Sequence, residues 1–172
     1  MKNKLRMTYS LMDEIMAAKD KPLPEFKIRH QLSRMHQGLH ALETAEKPTS
    51  DDWQVVSDAI NMIETLTLTN NGVWIDCDGD PVQITDSSGL LQDAVSAMAQ
   101  AGRRHFEHGV IRLDAKGIAT IRAVLEDYAQ LIQVLPARVM IHCHRKTEMK
   151  LHDIIRGKAK PNDVVVKKTR NK

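Results

Sequence analysis

Residues 25–45 read EFKIRHQLSRMHQGLHALETA, and the spacing inside this stretch decides the class of the fold. Ile28, Leu32, Met35, Leu39 and Leu42 recur at steps of three and four, which places them on one face of a long helix. Upstream, Lys21-Pro22-Leu23-Pro24 is a stiff break, and Pro24 suits the opening turn. Before it, Leu5, Tyr9, Met12 and Met16 mark a first helix over 4–19. Downstream, Lys47-Pro48-Thr49-Ser50 ends the long helix and offers Ser50 as the N-cap of the next, with Asp51 and Asp52 favourable at its positive terminus. Trp53, Val56, Ile60, Ile63 and Leu66 form the core face of that third helix, which stops near Asn70-Asn71-Gly72.

From Val73 to Ile84 the period changes from helical to alternating. Val73 and Ile75 alternate with polar or exposed positions, Asp78-Gly79 is a tight-turn dipeptide, and Val82 and Ile84 alternate again. The pattern predicts a short β-hairpin whose second arm, holding Pro81, is an edge. Asp86-Ser87-Ser88 caps a helix over 88–107 that carries Leu91, Ala94, Met98 and Ala101 and stops at Gly109. Val110–Leu113 is a candidate third strand. Asp114 caps a fifth helix through Leu135, with Gly117 in its first turn, and Pro136 divides it from a sixth that ends at Gly157. The expected architecture is a mainly α bundle of about six helices over 1–157 with a hairpin near 73–84, followed by a basic tail, 158–172. The alternative is an α+β fold with strands at 73–84, 110–113 and 163–167, the last around Val164-Val-Val166.

Composition bounds the function. The 172 residues are 42% apolar and 27% charged, a globular balance. No apolar run approaches the roughly 18 residues that span a bilayer. The basic start, Met1-Lys-Asn-Lys-Leu-Arg6, is followed by Asp13-Glu14 and Lys19-Asp-Lys21, which break any secretory apolar segment. Two cysteines make no disulfide framework, so a reducing, cytoplasmic compartment is expected.

The net charge of +3 conceals a strong asymmetry. Residues 145–172 hold ten Lys/Arg against three acids, +7, whereas 43–93 hold eleven acids against Lys47 alone, −10. A basic terminal segment is a footprint for phosphate, so Arg145, Lys146, Lys150, Arg156, Lys158, Lys160, Lys167, Lys168 and Arg170 are the candidate nucleic-acid contacts. Arg103-Arg104-His105 adds charge near the end of the fourth helix, while six aromatic residues in all give few platforms for stacking bases. No helix-turn-helix spacing is present, which leaves backbone binding without sequence readout. The acidic middle offers Asp51, Asp52, Asp58, Asp76, Asp78 and Asp80 as contacts for a basic protein partner.

Enzyme chemistry has less to stand on. His36, His40 and Glu43 share one side of a helix, as do His144, Glu148 and His152, the pattern a His-ligated metal hydrolase would use. Yet Gln37 and Arg145 stand where the His-Glu-x-x-His signature needs its general base. Asp76-Cys77-Asp78-Gly79-Asp80 begins like a calcium loop, but Gly79 is its fourth residue rather than its sixth. Cys143, on the Val139 face, reads as a packed thiol. No phosphate-cradling glycine loop occurs, and neither a metal nor a cofactor is expected. The expectation is a small non-enzymatic accessory or regulatory protein that binds nucleic acid or a nucleoprotein partner. The alternative is an inhibitor or adaptor of the kind phages and plasmids encode, using the acidic surface.

Overall fold

The computed structural model describes residues 20–158, so the helix expected over 4–19 and the tail beyond Lys158, including the strand proposed at 163–167, lie outside the described residues. Five helices and one hairpin follow: α1 (Glu25–Thr44), α2 (Ser50–Leu68), β1 (Val73–Ile75), β2 (Pro81–Gln83), α3 (Leu90–His108), α4 (Ala115–Val134) and α5 (Ala137–Ile155). The protein is a mainly helical bundle with a small antiparallel hairpin.

The hub is α2. It buries Val56, Ser57, Ala59, Ile60, Met62, Ile63, Thr65 and Leu66, more than one stripe of its surface. A helix apolar on several sides must be covered on several sides, and α1, α3, α4 and α5 all pack on it. Gly38 of α1 permits one of these approaches, since a Cβ there would stand 2.9 Å from the Asp52 carbonyl oxygen. The cap of α2 is Thr49 rather than Ser50. Thr49 accepts from the Asp52 amide, and the Asp52 carboxylate accepts from the Thr49 amide at 2.9 Å, a reciprocal capping box. Ser50 falls inside the helix because a carboxylate three residues on can answer Thr49, whereas the residue three after Ser50 is Trp53.

The hairpin forms where alternation indicated, with Val73 opposite Gln83 and Ile75 opposite Pro81. On its first arm the faces are reversed, whereas Val82 and Ile84 of the second pack inward as expected. Trp74 is buried, while Val73 and Ile75 are 45% and 46% exposed. The indole decides this: Trp74 carries the largest apolar surface of the strand, and its Nε1 donates to the Leu66 carbonyl at 2.9 Å. Asn70 and Asn71, at φ 52° and 54°, turn the chain out of α2 toward β1.

Val110–Leu113 is not a strand. Ile111 is buried and Leu113 is partly so, but the segment is a connection between α3 and α4, and among the described residues no strand pairs with it. Asp86, four residues ahead of α3, accepts from the Leu91 and Gln92 amides and caps the helix from a distance. Asp114 accepts from the Gly117 amide at 2.6 Å. Gly117 is explained by crowding: a Cβ there would lie 2.9 Å from that carboxylate and 3.2 Å from Ala97 of α3. The chain just ahead of α1 is fastened to the start of α5 by the Ala137 amide on the Lys21 carbonyl and by the Arg138–Asp20 ion pair.

Candidate functional site

The cations of α5 divide by direction. Lys146 Nζ donates to Thr69 Oγ1 at 3.0 Å, closing over the end of α2. Half-buried Lys150 lies beside Glu64 of α2, whose carboxyl is pushed up by burial and drawn back by the lysine charge. Arg145, Arg156 and Lys158 are exposed. Two of the residues expected on phosphate therefore have a neighbour within the fold, Lys146 the Thr69 hydroxyl and Lys150 the Glu64 charge. Lys160, Lys167, Lys168 and Arg170 lie outside the described residues.

Beneath these lysines the α2–α5 seam is polar at its centre. Thr65 Oγ1 and Thr147 Oγ1 are 2.7 Å apart and buried, and Thr147 Oγ1 donates to the Cys143 carbonyl at 2.9 Å. The single Thr147 proton goes to that carbonyl, so Thr65 donates to Thr147. Cys143 is wholly buried, and burial pushes its thiol up to about 11 against the opposing charges of Lys146 and Lys150. It is a packed thiol, not a thiolate.

At the edge of the seam Asp58 of α2 feels the charges of Glu148 of α5 and Arg34 of α1. Loss of water, then the Glu148 charge, push Asp58 up to about 6, with Arg34 pulling the other way. Part of the Asp58 side chain still reaches solvent, so screening keeps the energetic consequence small. His144 Nδ1 stands 3.7 Å from Glu148 Oε2. Burial holds this imidazole below its ordinary value, and Glu148 raises it. The other histidine stripe is exposed at His36 and His40, and its Glu43 is bound to Arg122 at 2.8 Å. Among the described residues no three His, Cys, Asp or Glu side chains gather in a way that would hold an ion.

The six acids expected to form one docking face do not come together. Asp51 and Asp52 open α2, and Asp52 is committed to the capping box. Asp76, Asp78 and Asp80 belong to the hairpin beyond the far end of the same helix, whose 19 residues span about 28 Å. Asp76 Oδ1 accepts from the Asp78 and Asp80 amides at 2.9 and 2.8 Å, so it builds the turn. Proximity in sequence made one patch of what the fold separates.

A different surface stands out at the end of α3. Its buried residues, Leu91, Ala94, Met98 and Ala101, form a single stripe that stops seven residues before the helix does. Those seven residues carry α3 about 10 Å past its last core contact. On this projecting end Phe106 is 92% exposed, among the exposed Arg103, Arg104, His105 and His108. Arg104 Nη1 donates to the Arg112 carbonyl at 3.0 Å, tying the returning chain to the helix. On the neighbouring side an open groove of about 250 Å³ between α3 and α4 is lined by Ser96, Gln100, Arg104, Lys116 and Thr120, with Asp93 at its other end. Charge along the chain marks the two arginines, Arg103 and Arg104, but not Phe106. The signal was available, since Phe106 falls off the Leu91–Ala101 stripe on a helical projection.

Among the described residues no helix is long and apolar enough to cross a membrane. Comparison with known proteins finds no matching family model, no matching curated protein and no matching solved structure.

Proposed function

We propose that the protein is a non-enzymatic accessory factor that binds nucleic acid, alone or within a nucleoprotein, through phosphate contacts made by its basic C-terminal region. The observation that carries this reading is the charge of +7 held by residues 145–172. A chain that concentrates cations at one end while its middle is acidic has an electrical polarity suited to docking on a polyanion. Arg156 and Lys158, exposed at the end of α5, continue the charge toward the tail. Lys146, bonded to Thr69, and Lys150, near the Glu64 charge, are secondary to Arg156, Lys158 and the tail in the contact set.

The test uses the full-length chain with Lys158, Lys160, Lys167, Lys168 and Arg170 all changed to Gln. Binding of a labelled duplex is followed by fluorescence anisotropy over a series of salt concentrations. Each lost phosphate contact flattens the plot of log affinity against log salt by about 0.9, so the slope should fall by up to about 4.5. The loss should be the same for unrelated duplex sequences. An unchanged affinity and slope would remove the C-terminal region from the function.

A further inference from the structure

The projecting end of α3 is an unusual use of an aromatic residue. Only six aromatic side chains occur in the chain, and Trp74 and Tyr128 are buried in the core. Trp53 is partly buried and donates from Nε1 to the Met98 carbonyl at 3.1 Å. Phe106, one turn beyond Gly102, where Trp53 packs, leaves 92% of its surface in water. Water disfavours such exposure, and a Phe outside the core does nothing for folding.

Its neighbours define what would cover it. Residues 103–116 contain Arg103, Arg104, Arg112 and Lys116 against Glu107 and Asp114. Asp114 caps α4, and Glu107, exposed and 3.8 Å from His108 Nε2, is the acid left on this end of α3. Arg103, three residues before Phe106, shares its side of the helix. Asp51, at the start of α2, belongs to the same end of the bundle and is the opposing charge there.

We propose that this end of α3 is a second nucleic-acid contact, specific for single strands, with Phe106 stacking on one base and Arg103, on the same side of the helix, holding a flanking phosphate. It deepens the nucleic-acid reading above and takes from it only the class of ligand. An aromatic face accepts any unpaired base, whereas a duplex keeps its bases stacked and offers a lone ring nothing to stack on. A cation beside the ring suits a polyanion better than an apolar protein surface, which would leave the guanidinium group unpaired.

The experiment compares the full-length wild-type, F106A and F106W proteins, by anisotropy, on a labelled single strand of about 15 nucleotides and on the matching duplex. The five-Gln variant is measured alongside. F106A is expected to weaken single-strand binding about tenfold or more and to leave duplex binding unchanged, while F106W retains affinity and its emission is quenched by the oligonucleotide. Melting temperatures serve as the folding control. The α3 contact is overturned if F106A binds the single strand as wild type does, or if its loss is equal on duplex. It is also overturned if wild type is a dimer by sedimentation that F106A converts to monomer, since the ring would then be covered by a second copy. The two readings separate cleanly. A five-Gln variant of unchanged affinity beside a weakened F106A removes the C-terminal reading and leaves this one, and the reverse pattern does the opposite. Wild-type protein that binds neither oligonucleotide removes both.

Discussion

The seam between α2 and α5 and the projecting end of α3 are built from overlapping residue types, and they put them to opposite uses. In the seam, Lys146 is spent on Thr69, Lys150 on Glu64, His144 on Glu148, and two threonine hydroxyls on each other. At the end of α3, Arg103, His105 and Phe106 extend past the last core residue into solvent. A cation near a helix of complementary chemistry is structural, and the same cation beyond the reach of the core is available to a ligand. Charge counted along the chain cannot tell these cases apart.

The contrast is sharpest in the centre of the seam. Thr147→Val removes the acceptor for the Thr65 hydroxyl in a buried setting, which should cost about 1–3 kcal/mol by urea denaturation. Changing both threonines to Val replaces the pair by matched apolar groups and should restore most of that loss. Additive losses in the double variant would show that the two hydroxyls are not coupled, and the seam would then be held by apolar packing alone.

A smaller effect is expected at the seam's edge, and it depends on pH. The folded Asp58 carboxyl keeps its proton up to about pH 6, whereas the ordinary value is 3.8. Between those limits the folded state binds more protons than the unfolded state, so the Asp58 contribution to stability falls as pH rises through the window. Asp58→Asn should therefore gain on the parent between pH 4 and pH 6, with the gain levelling above. His144 acts with the opposite sign, because its folded value is depressed and acid favours the unfolded state. Both proteins contain His144, so the difference between their denaturation midpoints isolates Asp58. A difference that does not vary with pH would place Asp58 in ordinary solvent.

The smallest effect belongs to the end of α3. Replacing Arg103 and Phe106 together by Ser should change stability by no more than about 0.5 kcal/mol, since neither side chain is covered by the core. A loss well above that, measured by the same denaturation, would make this end part of the fold and erase the contrast with the seam.

Much of the architecture was legible because helix periodicity is a local property. The stripes on α1, α2, α3 and α4 can be read from residues three and four apart, and the breaks at Pro24, Pro48, Gly109 and Pro136 follow from restricted or permissive backbones. The hairpin was visible in its turn, but its buried face was not. Alternation marks two faces without saying which one meets the bundle, and the Trp74 indole with its bond to Leu66 settled the choice. The same limit applied to Val110–Leu113, where apolar residues suggested a strand and the described residues offer it no pairing partner.

The sequence by itself determined a helical protein, its helix boundaries, its hairpin turn and its charge asymmetry, because each depends on residues within a few positions of one another. Only the tertiary structure decided which charges are occupied. It set Lys146 and Lys150 against α2, parted Asp51 and Asp52 from Asp76, Asp78 and Asp80 by the length of a helix, and carried Phe106 past the core. Whether a side chain meets a partner or water depends on contacts between residues tens of positions apart, such as Thr65 with Thr147, and no local pattern encodes that meeting.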